Sequence, residues 1–244
     1  MAVPIPVRSP FLIVNPKAYL TGSELMKLAH LTDELAGAFD IDVVFTAQHI
    51  DLRSVVAETT NLCVTAQHVD PIVPGRGMGH ILAEGLAEAG VKAVVLNHAE
   101  HPLTLADLDA TMRRCEEVGL ATIVCADSDL QCRAVADLDP SGMICEPTAN
   151  IGTGQMDAGD YIERTTQIVK NVDPSILVVQ AAGVSRGADI TRVLQQGSDC
   201  SGGTSGIIKH PDWREILTEM FQALADHRDS QATGTNSSAA APAS

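Results

Sequence analysis

Residues 142–154 read Gly142-Met143-Ile144-Cys145-Glu146-Pro147-Thr148-Ala149-Asn150-Ile151-Gly152-Thr153-Gly154. The first four are a short apolar run that reads as a buried strand. A carboxylate, Glu146, stands at its C-terminal end, and Pro147 stiffens the exit. The stretch closes on Gly152-Thr153-Gly154, where backbone can approach an anion with no Cβ in the way. A base at a strand tip, a stiff hinge and a glycine loop of phosphate-binding type read together as a lid over a phosphorylated substrate.

Outward from this stretch the same unit recurs. Short apolar runs fall at 11–15, 42–46, 62–66, 93–97, 121–125, 142–145, 176–180 and 199–202. Helical patterns follow each in turn, at 23–39, 52–58, 79–89, 105–118, 130–137, 159–170, 188–195 and 212–226. Eight strand–helix units with right-handed crossovers close into a (β/α)8 barrel. An open doubly wound sheet usually stops at five to seven strands, so the expected fold is single-domain α/β, with the barrel over 11–228. Residues 1–10 are an N-terminal extension. Residues 229–244, rich in Ser, Ala, Thr and Asn without apolar period, are expected to form a disordered tail. One internal echo supports equivalent units: Phe45-Thr-Ala-Gln-His-Ile-Asp51 resembles Val64-Thr-Ala-Gln-His-Val-Asp70, each at the end of a strand.

Composition narrows the function. Hydrophobic residues make up 45% of the chain but aromatics only 3%, so the core is built from Ala, Val, Ile and Leu, which suits a covered parallel sheet. Lys plus Arg is 16 against 31 Asp plus Glu, a net charge of −15. Such a chain repels nucleic acid and anionic membranes, and neither is an expected partner. A small anion would have to be held by backbone N–H groups and a few placed cations. The six cysteines form no Cys-x-x-Cys pair and mostly sit in apolar runs, which predicts buried free thiols in a reducing compartment. The first residues carry two prolines and no long apolar core, so neither signal peptide nor membrane span is expected, and the default is a cytoplasmic protein.

Active sites of such barrels lie at the C-terminal ends of the strands. The polar residues there are Asn15 and Lys17 after the first strand, Gln67 and His68 after the third, His98 and Glu100 after the fourth, and Glu146 after the sixth. The last two strands give way to Ala181-Ala182-Gly183 and Gly202-Gly203-Thr204-Ser205-Gly206. Taken singly, Lys17 is an ordinary surface lysine. His98 and His101 lack a surrounding ligand set, so no metal is expected. Gly75-Arg-Gly-Met-Gly79 lacks the spacing and the preceding strand of a dinucleotide loop.

Together these residues form a known pattern. Asn-x-Lys at 15–17, Asn-His-x-Glu at 97–100 and Glu-Pro…Ile-Gly-Thr-Gly at 146–154 resemble the triosephosphate isomerase family, in order and in spacing, over roughly residues 11–228. The short, archaeal-type branch is the most similar, with Gln-His-x-Asp after strand three and Leu-Asn-His at strand four. The resemblance implies a TIM barrel and a cofactor-independent aldose–ketose isomerase. Its best substrate pair is dihydroxyacetone phosphate and glyceraldehyde 3-phosphate, linked by ene-diolate proton transfer. By the same resemblance Glu146 is the base and His98 a neutral imidazole that polarises the carbonyl, kept neutral by a following helix N-terminus. Lys17 and Asn15 hold the oxyanion, and Glu100 anchors Lys17. Ile151, Gly152, Gly183, Thr204 and Ser205 bind the phosphate. The loop 67–79 is implied to reach a neighbouring subunit, giving a homodimer or tetramer. The chain departs from the family's pattern at Ala99 for serine, Met78 for threonine, Ala149 for a bulkier lid residue and Ala181-Ala182 for a glycine-containing turn. These departures keep two alternatives open: an isomerase of a four-carbon ketose phosphate such as L-erythrulose 1-phosphate, and a catalytically silent barrel used for binding.

Overall fold

A computed structural model describes residues 2–150 and 160–238 of the chain. Eight parallel strands close in sequential order: β1 Phe11–Val14, β2 Val43–Ala47, β3 Leu62–Ala66, β4 Ala93–Leu96, β5 Ala121–Ala126, β6 Gly142–Cys145, β7 Leu177–Val179 and β8 Cys200–Gly203. The barrel shuts where β1 pairs with β8, Phe11 opposite Cys200 and Val14 opposite Gly203. Helices α1 Gly22–Phe39, α2 Leu52–Glu58, α3 Ala83–Glu88, α4 Leu105–Glu117, α5 Asp129–Ala136, α6 Tyr161–Val172, α7 Gly187–Gln195, α8 Ser205–Ile208 and α9 Trp213–Ser238 surround it.

Strand side chains alternate between two cores, as a period of two requires. One set points inward: Phe11 and Ile13, Val44, Cys63, Ala93 and Val95, Ala121, Ile123 and Cys125, Ile144, Val179 and Cys200. The other set points outward, for example Leu12, Phe45, Val94, Val124 and Met143, and packs under the helices. Both faces are buried, so most strands read as nearly unbroken apolar runs, β8 with its Cys-Ser-Gly-Gly being the exception. Apart from Phe11 the interior is filled mainly by small and branched side chains, as suits a chain poor in aromatics. Closure also needs glycine: a Cβ at Gly202 would lie 2.0 Å from the carbonyl oxygen of Ile13 on the neighbouring strand.

The N-terminal extension is part of the fold. Ile5 is buried among the inward-facing set, with Val3 and Val7 packed beside it, so the segment caps the lower mouth of the barrel. Arg8 pairs with Asp42 just before β2, Ser9 donates to the Asp199 carbonyl just before β8, and the Ala2 amide donates to Asp139 before β6.

Beyond shifts of one or two residues at element ends, the structure departs from the sequence expectation in three places. Helix α3 starts at Ala83 rather than residue 79, because the Asp70 carboxylate and amide grip the Ile81 amide and carbonyl at 2.6 and 3.0 Å and hold the chain before it extended. Helix α8, four residues long, was too short to carry a periodic signal. Helix α9 continues to Ser238 rather than ending near 226, so residues 229–238 of the expected tail are helical. Arg228, donating to the carbonyls of Phe39 and Asp40, fixes the direction in which that helix leaves the barrel. Residues 239–244 lie outside the described residues.

Candidate active site

The inward parity of the strands selects the side chains at the upper mouth. Beyond Ile13 on β1 the next inward position is Asn15, and beyond Ile144 on β6 it is Glu146. The Glu146 amide continues the ladder, donating to the Ala126 carbonyl at 3.0 Å.

Lys17 has a left-handed backbone, φ 48°, unusual for a residue with a side chain. Its amide donates to Asn15 Oδ1 at 2.9 Å, and Gln67 Nε2 donates to its carbonyl at 3.1 Å. Its ammonium lies 2.6 Å from Glu100 Oε1. The lysine side chain is 16% exposed and the glutamate 61%, so the carboxylate approaches from the solvent side and holds the ammonium at the mouth. The hydrogen bond from Lys17 keeps the Glu100 carboxyl below the usual carboxylate range.

His98 follows β4. Asn97, also left-handed at φ 56°, donates to the Cys125 carbonyl and accepts from the Leu103 amide, which staples the loop between them. The Glu100 amide donates to His98 Nδ1 at 3.1 Å. A backbone N–H can only donate, so Nδ1 carries the lone pair and a neutral ring bears its proton on Nε2. Burial, and then the Lys17 ammonium, hold the imidazole below its usual pKa against the opposing pull of Glu100. Helix α4 begins only at Leu105, capped by Thr104, so the backbone donor facing His98 is the Glu100 amide of the tight turn and not the N-terminus of that helix.

Glu146 is partly buried, and its burial pushes the carboxyl up to about 7, the Lys17 ammonium pulling the other way. Beyond Pro147 the chain makes a 3-10 turn over Thr148–Asn150, tied back where Thr148 Oγ1 donates to Asp127 at 2.6 Å. Ile151 and Gly152 lie outside the described residues.

One cavity brings most of these groups together. Asn15, Lys17, His98 and Glu146 line it together with Gly183, Thr204 and Ser205. A second cavity of about 640 Å³ opens on the far side of Lys17, between the loops after β2, β3 and β4. It shares Asn15, Lys17 and His98 with the first, and the His68 and His101 rings stack within it, centroids 3.9 Å apart. Among the described residues no group of three or more His, Cys, Asp or Glu side chains is arranged to hold a metal ion. The mouth therefore offers a carboxyl poised near neutrality, a neutral imidazole N–H and an ammonium, in one cavity with the turns after β7 and β8. That set can move a proton between adjacent carbons while holding an anionic oxygen. Sequence reading had given no role to Thr46, whose hydroxyl donates to Asn15 Oδ1 at 2.7 Å; the repeated Thr-Ala-Gln-His was the available signal.

Residues 10–212 match the family model described as triosephosphate isomerase. Similar proteins include the triosephosphate isomerase of Methanocaldococcus jannaschii, 33% identical over 218 residues that cover 87% of this chain and 99% of that protein. That of Methanopyrus kandleri is 35% identical over 224 residues, covering 89% and 99%. That of Caldivirga maquilingensis is 33% identical over 223 residues, with the same coverage. A closed (β/α)8 barrel with this mouth, and these relatives, define an intramolecular oxidoreductase of the aldose–ketose isomerase class. Within that class the chain belongs to the triosephosphate isomerase family.

Proposed function

We propose that the chain interconverts dihydroxyacetone phosphate and glyceraldehyde 3-phosphate. Ionised Glu146 takes a proton from C1, and the C–H electron pair becomes the C1–C2 double bond. The carbonyl oxygen on C2 takes the Nε2 proton of His98. His98 then recovers a proton from the C1 oxygen, Glu146 returns its proton to C2, and an aldehyde is left at C1. Lys17 and Asn15 stabilise the ene-diolate oxygens as charge develops. Gly183, Thr204 and Ser205, with Ile151 and Gly152 of the lid, hold the phosphate through neutral donors. The observation that carries this reading is the shared cavity of Lys17, His98 and Glu146, with the imidazole N–H on Nε2 and the carboxyl near neutrality.

The four-carbon alternative draws on the second cavity, which shares three site residues with the first and offers room beyond it. Turnover assays with dihydroxyacetone phosphate and L-erythrulose 1-phosphate decide between them. We expect the larger kcat/KM for the three-carbon compound. A larger value for the four-carbon compound overturns that choice, and no turnover of either by folded protein favours a binding role. The same reading includes self-association through the loop 67–79, on which Val73 and Met78 are exposed apolar side chains, and residence in the cytoplasm, in keeping with six free cysteines that are all buried.

A further inference from the structure

The repeated Thr-Ala-Gln-His belongs to two strands that lie side by side. Thr46 of β2 is in register with Thr65 of β3, so Gln67 rises one step above β3 next to Thr46. Thr65 spends its hydroxyl locally, on the Cys63 carbonyl. Thr46 and Gln67 instead reach across to the end of β1.

The direction of each hydrogen bond in this group is fixed by chemistry. The Lys17 carbonyl can only accept, so the Gln67 atom facing it at 3.1 Å is the amide nitrogen. That nitrogen also reaches Thr46 Oγ1, at 3.5 Å. The Lys17 amide can only donate, so the Asn15 atom facing it at 2.9 Å is the carbonyl oxygen. The Thr46 hydroxyl, on a residue with no solvent exposure, then donates to that same oxygen at 2.7 Å. Asn15 Oδ1 is thus held by two donors, and Nδ2 is the end of the side chain left for the cavity that Asn15 lines. Lys17 is gripped at both its amide and its carbonyl, which holds its left-handed backbone.

We propose that Thr46 and Gln67 are positioning residues for the isomerase reaction. Acting through Asn15 and the Lys17 backbone, they aim an amide N–H and the ammonium at the oxygen where charge develops. The inference rests on the isomerase reading above. It predicts a loss concentrated in the transition state, because the two donors matter most once the oxygen is anionic.

The test compares Thr46→Val, Thr46→Ser and Gln67→Met with the parent, with urea unfolding to follow the fold. Thr46→Val is expected to lower kcat about 10- to 100-fold while KM changes less than about threefold, and Thr46→Ser to recover to within about threefold of the parent. Gln67→Met is expected to fall in the same direction, and it decides the matter alone if Thr46→Val does not fold. In a second measurement, Thr46→Val should weaken binding of 2-phosphoglycolate, whose carboxylate mimics the ene-diolate, and leave inorganic phosphate binding unchanged. Folded Thr46→Val with kcat within about twofold of the parent overturns the inference, as does a loss confined to KM or one that serine does not rescue. A parent that turns over neither sugar phosphate overturns the isomerase reading and the inference with it, whereas an active parent with an unaffected Thr46→Val overturns the inference alone.

Discussion

Glu146 and His98 are both held near or in their neutral forms, by different means. For His98 the Glu100 amide fixes the tautomer and burial lowers the pKa. For Glu146 burial raises the carboxyl to about 7, the Lys17 ammonium only partly countering it. In the proposed reaction Glu146 works ionised, and its raised pKa places protonation within the neutral range. We therefore expect kcat/KM to fall about tenfold per pH unit on the acid side of a midpoint near 7. The substrate phosphate, titrating near 6, adds a separate lower inflection. A flat profile between pH 6 and 8 would contradict the raised carboxyl. That Glu146, His98 and Lys17 meet at one mouth was legible because they stand at strand ends in a spaced pattern. The Glu100 amide that fixes the His98 tautomer was not, because a turn of three residues has no sequence period to announce it.

Strand parity explains most of the element-scale organisation, and it was legible because each strand is a short apolar run between helical patterns. What escaped were features fixed by contacts distant in sequence. The delayed start of α3 depends on Asp70 reaching Ile81, and the relation of Thr46 and Gln67 to Asn15 and Lys17 spans three strands. The N-terminal strap is a third case. Its apolar residues are too few to form an element, yet Ile5 lies 6% exposed in the barrel interior. Gly142 is glycine there because a Cβ would come within 2.9 Å of Ile5 Cδ1 and 3.1 Å of the Leu177 carbonyl. Truncating the plug should leave a cavity, so Ile5→Ala is expected to cost roughly 2 to 4 kcal/mol in urea unfolding. Turnover at saturating substrate should be unchanged, because the plug and the site occupy opposite mouths. A fall in kcat without loss of stability would show that the two ends are coupled.

For the molecule as a whole, the eight-unit count made closure legible, whereas assembly depends on a second copy. Met78 is fully exposed and Val73 is 61% exposed on a loop that is nonetheless fastened, Arg114 donating to the Ile72 carbonyl at 3.1 Å and His80 lying 3.0 Å from Asp70. A fastened loop that presents apolar side chains is suited to a partner surface. If copies pair through it, Met78→Asp should raise the dissociation constant measured by ultracentrifugation at least about tenfold. A variant that associates as tightly as the parent would place the contact elsewhere. The strap beneath the barrel has a practical corollary. Residues 2–9 are fastened along the lower rim, at Asp139, Asp42 and Asp199. A surface or carrier joined to the protein at that end would hold it upright, its reactive opening turned toward the bulk liquid.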